Sequence, residues 1–271
     1  MRLKREDLRV PDAQADLYLV GLGIGGFDRR SVEVDNLLKS AQKVLHLTAF
    51  DADLRQLCAG DVVDLEQIYG TGSDPRQVYQ EMATQALLAG ADARKEGYAC
   101  FLVYGHPLFL VDSGWWIEQA AAEYGITVKA IPATSFLDSL LVDLGTRFDR
   151  AVQSYEANVF YRYQIEPDTR FPVVLSQFGS FDVSRLRQRD NLYGRLAPLT
   201  RRLRDLYPAD RPVAAVLSAW RADMAPQISH SIVGEIDTLV SSSHSGMSLY
   251  IGGSEEWTLP RKNSIPYLRP A

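Results

Sequence analysis

The chain has 271 residues, 46% of them hydrophobic and 23% charged, with a mean hydropathy of −0.14. That is the composition of an ordinary globular protein long enough for two α/β domains, and it excludes a chain dominated by disorder. A formal net charge of −5 and a pI near 5.5 exclude the broad cationic footprint that nucleic acid demands.

Cys58 and Cys100 are too few for a disulfide scaffold and read as reduced thiols. The charged N-terminal stretch lacks the apolar core of a signal peptide, and no run approaches the roughly 20 apolar residues of a bilayer span. A cytoplasmic protein that binds neither nucleic acid nor membrane is expected.

Leu17 to Val20 is a short apolar run stopped by Gly21-Leu22-Gly23-Ile24-Gly25-Gly26, which predicts a buried strand entering a glycine-rich turn. Ser31 can cap the next helix, whose Val34, Leu37, Leu38 and Ala41 recur at helical spacing, and Val44 to Leu47 reads as the next strand of a βαβ unit. A helix from about Tyr79 to Lys95 leads into the apolar strand Ala99 to Tyr104, followed by Gly105-His106-Pro107. Helix Ser113 to Tyr124, strand Val128 to Ile131 and helix Ser135 to Leu144 continue the alternation and favour a mostly parallel sheet.

Beyond Gly145 the texture changes. Val152 to Glu156, Val173 to Gln177, Val213 to Trp220 and Ser248 to Ile251 read as strands, with one long helix near Gly194 to Tyr207. The expected organisation is an arm at 1–16, a first α/β domain at 17–145 with a mostly parallel sheet, a second α/β domain at 146–253 with a mixed sheet, and an arm at 254–271.

Gly21, Gly23 and Gly26 fit the dinucleotide pattern G-x-G-x-x-G, but a strand-to-helix turn without a ligand explains them equally well. A nicotinamide or flavin site also wants the helix to open on the glycines, where Phe27 to Arg30 intervene, and an acid at the end of the second strand, where Leu47 to Phe50 stand. Tyr104 and His106 follow a strongly apolar strand, the place where open α/β sheets hold ligands; a structural His and a wall-forming Tyr are the plainer alternatives. Four scattered His and two distant Cys offer no metal-ligand spacing, so no metal is expected. Tyr69, Arg76 and Tyr79 gather two phenols and a guanidinium across a glycine loop and a helix start, with Arg76 and Tyr79 one turn apart on a shared face; an exposed Arg beside an inward-packing Tyr is the alternative.

Taken in order, the glycine loop Val20 to Gly26, the helix start Ser31 to Val44, Tyr104-Gly105-His106-Pro107-Leu108-Phe109, Ile131-Pro132-Ala133-Thr134-Ser135 and Ser248 to Ile251 resemble the tetrapyrrole methylase superfamily of S-adenosylmethionine enzymes over roughly Leu17 to Gly253. Within it, Tyr104 to Pro107, Asp143-Leu144-Gly145, Gln153 to Ala157 and Leu175 to Gly179 are similar to the borosin peptide α-N-methyltransferases. The resemblance implies two α/β domains with a cofactor cleft between them. It implies S-adenosylmethionine as cofactor and methylation of backbone amides in a ribosomal precursor peptide, by a homodimer.

By family position, Tyr104, His106, Phe109, Ser135, Ala157, Gln177 and Ser248 are implied as cofactor contacts, and Tyr69, Arg76, Tyr79 and Tyr104 as the group around the acceptor amide, with Tyr79 or Tyr69 as base. The sequence departs from the family where Arg76 stands three rather than four residues before Tyr79, where Ala133 replaces a glycine, and where Gly252-Gly253 replace a Pro-Pro pair. The C-terminal arm has no Val, Ile and Gly run like a fused borosin core, so a separate precursor peptide is the expected partner. A methyltransferase acting on a tetrapyrrole or another small molecule, and a methylase-like module that binds without catalysis, remain as alternatives.

Overall fold

The first sheet is laid down by residues that alternate between two buried faces. The computed structural model describes residues 15–69, 74–147, 150–182, 192–240 and 244–254. Its strands are β1 (Leu17–Gly21), β2 (Lys43–Leu47), β3 (Asp61–Asp64), β4 (Ala99–Val103) and β5 (Val128–Ile131), in the order β3-β2-β4-β1-β5 with every pairing parallel.

Leu17, Leu19, Leu45, Ala99, Phe101 and Val103 point to one face, where α4 (Pro75–Ala93) and α5 (Asp112–Ala120) cover them with Met82, Ala86 and Ile117. Tyr18, Val20, Val44, Cys100 and Leu102 point to the other, against Val34, Leu37 and Leu38 of α1 (Val32–Ser40) and Leu54 of α2 (Asp51–Leu57). A strand buried on both faces reads as a continuous apolar run, and β1 and β4 do.

Ser31 caps α1 by accepting from the Val34 amide at 3.2 Å. The β1-α1-β2 unit is parallel as expected, but β4 lies between its two strands. The helix expected from about Tyr79 starts at Pro75, because Asp74 accepts from the Arg76 amide at 2.7 Å and proline suits the first helical position. A short helix, α3 (Glu66–Tyr69), precedes it; residues 70–73 of the glycine loop lie outside the described residues. The helix expected over Ser113 to Tyr124 is α5 followed by a 3-10 turn, Ala121–Tyr124, closed by left-handed Gly125.

The second sheet is mixed. Its strands are β6 (Gln153–Glu156), β7 (Val173–Ser176), β8 (Pro212–Leu217), β9 (Gln227–Ile232) and β10 (Ser248–Ile251), in the order β6-β7-β10-β8-β9. Only β6 and β7 pair in parallel; β10 runs antiparallel to both β7 and β8, and β9 antiparallel to β8. Val173, Leu175, Val213, Ala215, Leu249 and Ile251 form one face of a core closed by Phe160 of α7 (Ala157–Arg162), by Leu196, Leu199 and Leu203 of α8 (Leu192–Leu206), and by Leu239 of α9 (Asp237–Val240). The strand expected to reach Trp220 ends at Leu217.

Contacts divide the described residues into two units. One takes 15–69, 74–136 and 219–224; the other takes 137–147, 150–182, 192–218, 225–240 and 244–254. Helix α6 (Phe136–Leu144) begins on the last residue of that first stretch. No helix among the described residues is long and apolar enough to cross a membrane.

Candidate active site

Parallel strands that enter a sheet in the same direction deliver their following loops to one edge, and the loops after β4, β1 and β5 are neighbours there. They are tied together by the backbone of the glycine loop. Gly23 and Gly105 exchange both amide-to-carbonyl bonds at 3.2 Å, forming an isolated antiparallel bridge between the glycine loop and the loop carrying Tyr104 and His106. The Ile24 amide donates to Thr134 Oγ1 at 3.2 Å, and the Gly25 amide donates to Tyr104 Oη at 3.3 Å. Gly21 has no room for a side chain, because a Cβ there would be driven into the Gly105 carbonyl oxygen. Here the glycine is demanded by the close approach of two loops.

Tyr104 is half-buried at the foot of this arrangement. Burial pushes its phenol up, while the Gly25 amide and then the Arg29 guanidinium pull against that. His106, also half-buried, accepts from the Leu108 amide at its Nδ1, 3.2 Å away, so a neutral ring carries its proton on Nε2. Phe109 stacks on Phe136 with centroids 5.4 Å apart and planes within 5°. Leu108 is held from behind by the Trp115 indole, which donates to its carbonyl at 2.8 Å. Ser135 is half-buried between Thr134 and this phenyl pair in sequence.

At the same edge the loop after β2 is braced by buried His46, 3.1 Å from Asp51 Oδ1 and 3.4 Å from the Thr48 hydroxyl. Asp51 is held below the usual carboxylate range, by Arg55 first and also by His46.

The acceptor candidates are distributed along the approach to α4. Arg76 is exposed in the first turn, and Tyr79, one turn on, packs against the first-unit core. Tyr69 ends α3, and the loop joining it to Asp74 lies outside the described residues.

In the second unit, Ala157, Gln177 and Ser248 come together at one end of the sheet, since β6 and β7 finish where antiparallel β10 begins. Glu156 caps α7 by accepting from the Val159 amide at 2.9 Å, placing buried Ala157 at the first helical position. Gln177 is exposed with a left-handed backbone, φ 55°, at the exit of β7. The turn after it is sealed by Gly179, where a Cβ would collide with the His244 carbonyl, and by Ser180, which donates to the Ser245 carbonyl at 2.8 Å. Ser248 is buried opposite Val216.

Sequence reasoning passed over Thr134 as a loop tie, Phe136 as the ring partner of Phe109, and Arg29. Thr134 stands within the Ile131 to Ser135 segment, but its role depends on Ile24, 110 residues away. Among the described residues no group of three His, Cys, Asp or Glu could hold a metal ion.

With this geometry in place, the model of the tetrapyrrole (corrin/porphyrin) methylases matches residues 16–223. A Gymnopus fusipes protein named as a methyltransferase and ribosomally synthesized cyclic peptide (gymnopeptides) precursor is 26% identical over 238 residues, which is 86% of this chain and 56% of that protein. A Mycena rosella protein named as a methyltransferase and type I borosin cyclic peptide precursor is 27% identical over 132 residues, 48% of this chain and 32% of that protein. This chain therefore spans about half the length of the first and a third of the second.

Among solved structures, a uroporphyrin-III C-methyltransferase from Thermus thermophilus matches with a TM-score of 0.61 at 18% identity, covering 87% of this chain and 91% of that one. The cobalamin biosynthetic enzyme cobalt precorrin-4 methyltransferase matches with a TM-score of 0.62 at 15% identity, covering 87% and 94%. Those two likenesses establish the fold.

Proposed function

Because the chain belongs to the tetrapyrrole (corrin/porphyrin) methylase family, we propose that it is an S-adenosylmethionine-dependent methyltransferase acting on backbone amide nitrogens of a peptide. The observation that carries methyl transfer is the family match over residues 16–223, which takes in all three loops tied at the carboxyl edge of the first sheet. The peptide acceptor is supported by the two relatives whose names join a methyltransferase to a cyclic peptide precursor.

The residues present suit such a donor. An imidazole N–H, a Ser hydroxyl and backbone amides supply hydrogen-bonding groups, and the stacked Phe109 and Phe136 offer a flat apolar face to a purine. Among the described residues, a Cβ at Gly105 would meet just Ile24 Cδ1, at 3.4 Å. Tyr104, His106, Phe109 and Ser135 are proposed to hold the cofactor. The same role is proposed for Ala157, Gln177 and Ser248.

When bound, the cofactor supplies a methyl carbon already activated by positive sulfur. What the protein must then do is align that carbon with the acceptor at about 3–3.5 Å and exclude water. An amide nitrogen is a poor nucleophile because its lone pair is delocalised into the carbonyl. A phenolate among Tyr69, Tyr79 and Tyr104 removes the N–H proton, and Arg76 stabilises the negative charge that develops on the carbonyl oxygen.

Calorimetric titration with S-adenosylhomocysteine tests the first step, and saturable binding is expected. The second test incubates the protein with S-adenosylmethionine and a synthetic peptide rich in Val, Ile and Gly, with tandem mass spectrometry placing the added methyl on backbone nitrogen. Absence of saturable binding overturns methyl transfer. Binding together with methylation of a uroporphyrin-type tetrapyrrole, and none of the peptide, overturns the acceptor.

A further inference from the structure

Arg29 and Arg30 stand side by side and do different things. Arg30 is spent on structure: its guanidinium pairs with Asp35 at 2.6 Å, donates to the Phe27 carbonyl at 2.6 Å and lies 3.9 Å from the Phe27 ring centroid. Arg29 ends the 3-10 turn Phe27–Arg29, tied by its own amide to the Gly26 carbonyl at 3.1 Å, and its side chain folds back over the glycine loop. A Cβ on Gly25 would lie 2.7 Å from Arg29 Cδ, 2.9 Å from Nη1 and 3.2 Å from Nε. Gly25 has φ 106°, a conformation that suits glycine, so the peptide face on which the guanidinium rests is open because the loop turns there. Among the described residues Arg29 meets no carboxylate.

The Gly25 peptide is also the one whose N–H reaches Tyr104 Oη, at 3.3 Å. One peptide unit thus carries a hydrogen-bond donor aimed at the phenol oxygen and a guanidinium packed against it. We propose that Arg29 is a positioning residue for Tyr104: with the Gly25 amide it favours the phenolate, so that Tyr104, rather than Tyr69 or Tyr79, takes the proton from the acceptor N–H.

A backbone N–H reaches the Tyr104 oxygen, and a fixed positive charge stands over the residue that supplies it, two of the elements from which an oxyanion site is built. The Arg29 charge opposes the upward push of burial on the Tyr104 phenol. Two polar side chains of the same loops are committed elsewhere: His106 takes the Leu108 amide, and Thr134 takes the Ile24 amide. In the step itself, Tyr104 first gives its proton to solvent. Its phenolate oxygen then forms an O–H bond as the acceptor N–H breaks, and the electron pair of that bond stays on the acceptor as the imidate.

This inference rests on the methyl-transfer reading, and its test is kept independent of turnover. The Tyr104 resonance is followed through alkaline titration of the full chain bearing isotope-labelled tyrosine Cζ, with Tyr104→Phe providing the assignment. Arg29→Met keeps a stem over Gly25 and removes the charge; it is expected to lower the phenolate fraction at a given pH about tenfold, the size of effect one nearby opposite charge has on an ionisable group. Arg29→Lys is expected to restore most of it. An unchanged midpoint in Arg29→Met overturns the proposal, as does a wild-type Tyr104 that fails to ionise before the fold is lost. Failure of the wild-type protein to bind S-adenosylhomocysteine would instead overturn methyl transfer and leave the titration standing.

Discussion

The two units build their candidate edges by different means. In the first, loops from three separate parts of the sequence are joined at the glycine loop: backbone to backbone between Gly23 and Gly105 in both directions, and from the Ile24 amide to the Thr134 hydroxyl. In the second, the edge is set one strand exit at a time, by a helix cap at Glu156, a left-handed Gln177 and the close approach of Gly179 to His244. Backbone ties hold a surface whose shape depends little on most side chains, so glycines become the visible signature. An edge assembled from separate turns can vary in residue type, and its signature is correspondingly faint.

Core substitutions should break the comparison most forcefully. Phe101 and Phe178 are both fully buried, one in each unit, and replacing either by Ala should cost about 3–5 kcal/mol. The described tryptophans Trp115, Trp116 and Trp220 all belong to the first unit. In urea, and in a Trp257→Phe background so that only those three emit, Phe101→Ala should therefore shift the tryptophan emission transition. If the units unfold separately, Phe178→Ala moves the circular dichroism transition and leaves the emission where it was; coincident shifts would mean one cooperative structure.

Next in size, Gly21→Ala forces a side chain into the Gly105 carbonyl. It should cost about 3 kcal/mol and abolish S-adenosylhomocysteine binding, whereas Gly179→Ala should destabilise by a similar amount through the second unit. Denaturation midpoints and calorimetry check both; retained affinity in Gly21→Ala would mean that the tied loops do not hold the cofactor. Ser31→Ala removes the α1 cap and should cost about 1 kcal/mol by urea unfolding, with binding retained.

The smallest effect is alkaline. Burial pushes Tyr98 up to about 12 and Cys58 up to about 11, against ordinary values of 10.0 and 9.0. Both groups hold their protons longer folded than unfolded, so their contribution is complete below about pH 9 and declines as pH rises towards 12. Tyr98→Phe should flatten the upper part of that decline in thermal melts. It also removes the 3.0 Å bond from the phenol to the Leu37 carbonyl, which lowers stability at neutral pH.

Much of the fold was legible because burial on both faces leaves continuous apolar runs, as in β1 and β4. The strands that escaped, β3 with sequence Asp-Val-Val-Asp and β9 with Gln227, Ser229, His230 and Ser231, are sheet edges with few apolar residues to mark them. Short helices α2 and α7 escaped because neither is long enough to show a helical repeat. Asp74 and Pro75 did carry the start of α4, a cap and a first-turn proline in adjacent positions.

At the site, the glycines and the Tyr104 to Pro107 loop stood out. Their mutual ties did not, since Thr134 meets Ile24 only after the chain has crossed the sheet. Arg29 left no trace in sequence, because its path over Gly25 is decided by a backbone angle.

The placement of β4 also governs how the first unit comes into being on the ribosome. β1 and β2 never touch as a pair; each is bonded to β4, which is made after both. Until Ala99–Val103 has emerged, β1 has no strand among those already synthesised to pair with, and its apolar residues must wait through α1, β2, α2, β3 and α4. A nascent chain halted before β4 is thus no smaller version of this unit but an open client for chaperones, and the strand that delivers Tyr104 is also the one that joins β1 to β2.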